Sequence, residues 1–332
     1  MRRFLFSLMI LSGFSANAQD PHFSQFFASP LTLNPAFAGK FNGNWRLSAN
    51  HRDQWPTIPK AYVTTSAALD FGILKNKITN GDVLGIGLSG ITDASANNQL
   101  KMNYGSATLA YHKALDADGY NTIGAGFQGT YSSINLDVSK LTFADMLTAN
   151  GFTGTTSETF TNGTNQSYFD VNAGVLYSGS TNGENNFYVG ASLYHINRPK
   201  VNFQDQSWYL RGRMTVHAGA TLPINDIFSV STSAIYQQQA NASEIVAGAA
   251  VGVNAGNDLE NPTIVSAGLW LRAGDALIPY IGLEFKGLRI GASYDVNVSN
   301  LKAATASRGG SEFSLIYTHQ KNVDYRIPCP KF

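Results

Sequence analysis

From Leu288 to Ser299 the chain alternates without a break. Leu288, Ile290, Ala292, Tyr294, Val296 and Val298 fall on one side, and Arg289, Gly291, Ser293, Asp295, Asn297 and Ser299 on the other. Side chains along a strand have a period of two, so this segment predicts a strand with one oily and one polar face. Phe169, Val171, Ala173, Val175 and Tyr177 repeat the pattern, as do Met214, Val216, Ala218, Ala220 and Leu222. Fourteen such segments are predicted, near 44–51, 61–70, 83–92, 99–113, 121–133, 166–178, 186–196, 211–222, 227–237, 244–254, 263–273, 276–286, 287–298 and 311–320. Most have about the ten residues that a tilted strand needs to cross a bilayer. An even strand number is what single-chain bacterial barrels show.

The connections add a second signal. With both barrel ends on the periplasmic side, the long gaps 134–165, 197–210 and 299–310 fall outside, and the tight turns Pro223-Ile224-Asn225-Asp226 and Lys286-Gly287 fall inside. Long outer loops and short periplasmic turns are the asymmetry of outer-membrane barrels. Two connections fit it poorly: Ala273-Gly274-Asp275 is short for an outer loop, and 71–82 is long for an inner turn.

Composition narrows the architecture further. Charged residues make up 14% of the chain and aromatic residues 12%, with 15 Tyr, 20 Phe and 32 Gly. A soluble β-sandwich would also alternate, but its solvent face would carry more charge than this, since ordinary soluble domains are about 25% charged. No internal repeat of roughly 20–50 residues suggests a propeller. Past the N-terminus no run of roughly 18 apolar residues offers a transmembrane helix. A membrane placement therefore requires a closed barrel, which alone among sheets satisfies every backbone group in lipid. The expected fold is all-β: a transmembrane antiparallel barrel over 44–320, preceded by a non-strand segment at 19–43 and followed by a tail at 321–332.

The first residues read as a secretory signal. Arg2 and Arg3 supply a positive start, Phe4 to Phe14 an apolar run, and Ala16-Asn17-Ala18 a small-x-small cleavage site. Residues 1–18 are expected to be removed, leaving Gln19 first. That leaves 21 basic against 22 acidic residues, a net charge of −1. Nothing in this balance suggests a nucleic-acid partner, which calls for a basic face. The single cysteine, Cys329, excludes a disulfide within the chain.

The segment after the cleavage site is not strand-like. Phe23, Phe26, Phe27, Leu31, Leu33 and Phe37 are interleaved with Pro21, Pro30 and Pro35, and Asn34 precedes the last of these. The prolines forbid a regular strand or helix, yet the apolar side chains need burial. One reading is a strap or plug in the lumen or across its periplasmic mouth; the other is a docking peptide for a periplasmic partner. Arg52, Asp53 and Trp55 are placed in the first outer loop, either fixing that loop or meeting surface cargo through the aromatic and Arg groups that dominate hot spots. On predicted lumen faces stand Arg213, His217, Arg272, Glu284, Lys286, Arg289, Asp295 and Glu312. Such groups either line a channel and set its selectivity, or pair off and fill it.

Catalytic patterns are weak. The six histidines, His22, His51, His112, His195, His217 and His319, show no metal-ligand spacing. No G-x-S-x-G elbow is present. A barrel enzyme would need a Ser–His pair at the rim, with His112 or His195 as the candidates. No cofactor, metal or catalytic residue is expected. Gly85-x-Gly87 and Gly124-x-Gly126 lie inside strands, where glycine relieves crowding or admits a close approach.

Two longer blocks carry a family resemblance. Gln19-Asp20-Pro21-His22-Phe23-Ser24-Gln25-Phe26-Phe27-Ala28-Ser29-Pro30-Leu31, running on through Thr32-Leu33-Asn34-Pro35-Ala36-Phe37-Ala38-Gly39, closely resembles the N-terminal segment of the PorP/SprF family, outer-membrane proteins of the type IX secretion system in Bacteroidetes. Asn50-His51-Arg52-Asp53-Gln54-Trp55-Pro56 looks like the same family, with shorter matches at Tyr111-His112, Ser293-Tyr294-Asp295, Gly310-Ser311-Glu312 and the ending Pro328-Cys329-Pro330-Lys331-Phe332. The resemblance implies an outer-membrane location and a non-enzymatic barrel that helps particular cargo reach or stay on the cell surface. In gliding bacteria such members serve large adhesins; in pathogenic relatives a member belongs to the core machine and contacts periplasmic components. The implied partners are the translocon, its periplasmic machinery, a surface adhesin or other cargo, and outer-membrane lipid. The alternative from the fold alone is a porin or solute transporter. A lumen filled by residues 20–39 would favour the anchor, and an open lumen the porin.

Overall fold

The computed structural model describes residues 20–58, 61–74, 81–159, 164–181, 185–203, 206–256 and 262–319. The expected signal peptide and the 321–332 tail with Cys329 lie outside the described residues. Fourteen strands form one closed antiparallel barrel. They are β1 Trp45–Gln54, β2 Tyr62–Ile73, β3 Val83–Ser95, β4 Leu100–Ala114, β5 Thr122–Leu136, β6 Asn165–Gly179, β7 Asn186–Tyr194, β8 Arg213–Pro223, β9 Phe228–Gln239, β10 Ala242–Asn254, β11 Ile264–Arg272, β12 Ala276–Phe285, β13 Leu288–Asn297 and β14 Arg308–His319. Each strand pairs with its neighbours in sequence. β1 closes the ring on β14, in register from Trp45↔His319 to Gln54↔Gly310. Closure leaves no edge strand, so the ladder can sit in hydrocarbon.

The period of two sorts the side chains as the sequence pattern predicts. On the outer wall Phe127 and Ile281 are each 65% exposed, while their inward neighbours Gln128 and Ile278 are 5% and 1% exposed. A continuous outer band of Leu, Ile, Val and Phe is covered only by lipid. Aromatic rings mark its borders: Trp45 meets Tyr317 at 5.3 Å at one rim, and Trp55 meets Tyr62 at 5.5 Å at the other. Ile281→Arg, at the middle of this band, is expected to cost about 2–4 kcal/mol, read from urea unfolding of the protein refolded in vesicles. A cost near zero would contradict the lipid-facing assignment.

Loop lengths orient the barrel. Connections 137–164, 195–212 and 298–307 lie at one rim, which is therefore the outer one. The first two carry small hairpins, Leu147–Thr148 with Gly151–Phe152, and Lys200–Phe203 with Gln206–Tyr209. The short turns 224–227 and 286–287 lie at the periplasmic rim. The two poorly fitting connections remain on the sides the strand order dictates. Ala273-Gly274-Asp275 is a tight outer turn with Gly274 at φ +75, and the longer 74–82 connection is periplasmic.

The buried core is not between sheets but inside the ring. Phe26, Leu33, Ala36 and Phe37 pack there with inward residues of the wall, Leu176, Trp270 and Ile278 among them.

Candidate functional site

Residues 20–44 run through the lumen from the outer mouth to the periplasmic start of β1. The prolines set the local form, a series of single turns. Phe26–Ala28 is a 3-10 turn, Pro30–Leu33 one turn of α-helix with proline first, and Pro35–Phe37 a second 3-10 turn. Pro fits a first turn because its missing N–H would have no partner there. The Asn34 side chain caps the last turn by accepting the Ala36 N–H at 2.8 Å. No regular ladder covers this backbone, so its polar groups bond to the wall instead.

At the outer mouth Asp20 is held from three sides. Its N–H donates to Gln239 Oε1 at 2.8 Å, and its carboxylate lies 2.8 Å from His195 Nε2 and 3.4 Å from Arg213 Nε. Asp170 Oδ2 lies 2.9 Å from the other ring nitrogen of His195. Burial disfavours the charged imidazole, but Asp20 and Asp170 outweigh it and raise the His195 pKa to about 9. Burial likewise opposes ionisation of Asp20, yet His195 and Arg213 hold its carboxyl well below the usual carboxylate range. The linkage has a definite sign. A raised histidine stabilises the tether fully below its unfolded value near 6.5, and that contribution fades as pH rises through about 9. Asp20 works the other way and matters only in acid. With each rate divided by that of a free thiol at the same pH, to remove the effect of thiol ionisation, a cysteine probe at position 22 is therefore expected to be more accessible to an external thiol reagent at pH 10 than at pH 7. His195→Gln should remove the difference in these normalised rates, and equal normalised rates at both pH values in the parent would refute the tether.

One turn further in, Glu312 takes the backbone of the strap. Its two carboxylate oxygens accept the N–H groups of Ser24 and Gln25 at 2.7 and 3.0 Å. Arg52 pairs with Asp295 at 2.7 Å and Glu312 at 3.2 Å, and Arg272 pairs with Asp295 at 2.7 Å and Glu244 at 2.9 Å. The Ser24 hydroxyl sits among these charges, bonded to Arg52, Arg272 and Asp295. Gln25 donates to Ser293 and accepts from Ser314. Each buried charge thus has an opposite partner, the condition under which burial is tolerated.

Lower down, Asn34 is the pivot. With its Oδ1 accepting from Ala36, its Nδ2 is the donor, within 2.9 Å of Val175 O and 2.9 Å of His217 Nε2, which accepts. His112 Nε2 donates to Ala38 O at 3.0 Å. Asp70 accepts the Gly39 N–H at 2.8 Å while Arg46 clamps the same carboxylate with two bonds, at 3.0 and 2.9 Å. Three wall glycines make room. A Cβ on Gly85 would lie 1.9 Å from Ala38 O, one on Gly126 2.5 Å from Ala36 N, and one on Gly174 1.9 Å from Asn34 Oδ1.

The structure gathers some of the sequence candidates and disperses others. Phe23, Phe26, Phe27, Asn34, Pro35 and Phe37 are in the lumen. Arg213, His217, Arg272, Asp295 and Glu312 point inward and touch the strap or its partners. Glu284 and Arg289 also point inward, paired at 2.8 Å near the periplasmic rim. Lys286 is a correction: it sits in the turn after β12 at φ +47, exposed, with its ammonium 5.1 Å from the Phe285 ring. The chain reverses there, so strand parity no longer applies. Arg52 and Asp53 are a second correction, since β1 runs to Gln54 and places neither in a loop. Arg52 turns inward because its partners Asp295 and Glu312 are inside; Asp53 faces outward. Trp55 alone of the three is in the outer connection, at φ 55, its N–H donating to Gly309 O at 2.9 Å. Asp20, Ser24, Arg46, Asp70, Asp170 and Glu244 were not singled out from sequence. Parity on the predicted strands could have flagged Asp70 and Arg46, both on the inward rows.

These features define an outer-membrane β-barrel whose lumen is filled by its own N-terminal segment. Among solved structures it is similar to the toluene transporter TodX of Pseudomonas putida, at 10% identity over 90% of this chain and 97% of that one, TM-score 0.51. It is also similar to the monoaromatic hydrocarbon channel CymD, at 8% identity over 89% and 94%, TM-score 0.50. At such identities the likeness is one of fold. No curated protein sequence matches the chain. The chain belongs to the PorP/SprF family: the model of the type IX secretion system membrane protein PorP/SprF matches residues 15–317.

Proposed function

We propose that this protein is a non-enzymatic component of the type IX secretion system that helps export or anchor particular cell-surface proteins, gliding adhesins being the expected kind of cargo. The observation that carries the reading is the tethered strap. It is bonded to the wall at the outer mouth, in the middle and at the periplasmic end. A barrel so filled is a poor conduit for solutes, and its remaining resources are its two rims. The outer rim offers the long loops, with Trp208 and Tyr209 exposed on the 200–209 hairpin. Aromatic groups of this kind suit a protein contact, and cargo is assigned to this side. The translocon and periplasmic machinery are assigned to the other.

The test is deletion of the gene. One or a few large surface proteins should then be retained inside the cell while small-solute permeability is unchanged. A fall in solute uptake with an intact surface proteome would replace this reading with a porin or transporter.

A further inference from the structure

The strap does not fill the lumen evenly. Below Phe27 it leans on the β2–β7 wall, where Gly85, Gly126 and Gly174 receive it. On the opposite side, between β7 and β13, a cavity of about 510 Å³ remains in the periplasmic half. Its ceiling is aromatic. Phe27 is its one strap residue, its ring centroid 4.8 Å from that of Trp270 with the planes tilted by 30°, and edge-on at 5.5 Å to Tyr280. Its walls are the inward rows of β8 to β11, with the hydroxyls of Thr221, Ser229, Ser231, Ser233 and Ser266. Asn186 and Asn254 add side-chain amides, and the Glu284–Arg289 pair stands toward the periplasmic turns. The space has the size of a small-molecule site, commonly about 300–1,000 Å³.

The lining discriminates among occupants. An anion finds no spare cation, because Arg289 is paired with Glu284 and the other charged lining residue is Asp226. A cation would meet Asp226 only at the exposed periplasmic turn, and an unpaired ion is costly out of water. Thr221 and Ser231 bond each other at 3.1 Å and Ser233 accepts from Trp270 at 3.0 Å; the wall still offers spare hydroxyl lone pairs, which a hydrocarbon cannot use and a hydroxyl-rich ligand can. A molecule with many hydroxyls and flat C–H faces meets both demands. Hydroxyls exchange bonds with Ser, Thr and Asn, and C–H groups lie against the margin of the Phe27–Trp270–Tyr280 cluster, in which Trp270 and Tyr280 are themselves buried. The geometry points to a binding site for a short neutral saccharide that enters from the periplasm and stops against Phe27. The site does not depend on the secretion role. It gives the periplasmic side a ligand of its own, read directly by the strap.

The test uses the full chain in a non-glycosidic detergent, titrated with chitotriose and maltotriose while tryptophan emission is followed. Trp270→Phe identifies the responding ring among the four tryptophans. At least one sugar is expected to give a saturable change that Trp270→Phe removes. Ser231→Leu, which fills the cavity from the wall, should weaken binding by about tenfold or more. Should that variant not fold, as judged by heat-modifiable gel migration, Ser266→Leu on the neighbouring wall takes its place. The proposal is overturned if neither sugar binds or if the cavity-filling variant binds as well as the parent. It is equally overturned if toluene or a neutral peptide such as Gly-Ser-Gly saturates the site and the sugars do not.

Discussion

Deletion of residues 20–41 is expected to turn a nearly silent barrel into a conducting pore. In planar bilayers the full chain should show little current, and the deletion variant a persistent open level at least an order of magnitude higher. The size of the ring makes this so. Eight strands leave an interior just filled by side chains, whereas 16–18 leave an aqueous channel. Fourteen strands lie between, and the strap supplies the missing volume. The wall it leaves behind is lined with Arg, Asp, Ser, Thr and Asn, which water will wet. A milder route reaches the same end. Gly85→Leu together with Gly126→Leu puts side chains where Ala38 and Ala36 now lie, while the outer wall is untouched. This variant should conduct like the deletion. If both remain closed in an intact barrel, the strap is not what blocks it.

Arg52→Ala should be the most damaging single change in the lumen, with a loss of about 3–5 kcal/mol, the usual result of stripping one partner from a buried ion pair. Arg52 is 2% exposed and reaches both Asp295 and Glu312. Without it, Asp295 keeps Arg272 but Glu312 loses its guanidinium, though it still receives the Ser24 and Gln25 amides. The prediction that separates charge from packing is the pair Arg52→Ala with Glu312→Gln. Removing the orphaned charge should restore a good part of the loss, so the double variant unfolds at higher urea than Arg52→Ala alone. Equal midpoints would mean that Arg52 acts by filling space.

Much of the barrel was legible because lipid imposes a simple code. Each strand must show alternate apolar residues to hydrocarbon, and all fourteen segments carry that mark. The code fails where the chain stops being a lipid-facing strand. Arg52-Asp53-Gln54-Trp55-Pro56 looks like a loop because charge and proline break the alternation. Only Asp295 and Glu312, more than two hundred residues away in sequence, make Arg52 an inward strand residue. Lys286 failed for the opposite reason, since alternation was carried one step past the end of β12 into a turn. In the strap, proline and phenylalanine announced a buried irregular segment, but not its route. The route is written in the wall, at glycines whose significance depends on what lies opposite. Asp20, Ser24 and Gln25 gave no signal of their own, because a polar residue in an irregular segment becomes an anchor only once its partner is known.

The seam between β1 and β14 has a consequence for biogenesis. The strap leads without interruption into β1, and β1 is zipped to the last strand along ten paired residues. A sealed ring offers this segment no sideways entry, and its path from Asp20 to Gly39 is bonded on several sides at once. Entry is left to the open mouths of the ring, or to the stage before its terminal strands have joined. Because β1 continues the strap, seating of the N-terminal segment and closure of the ring are joined in one stretch of chain.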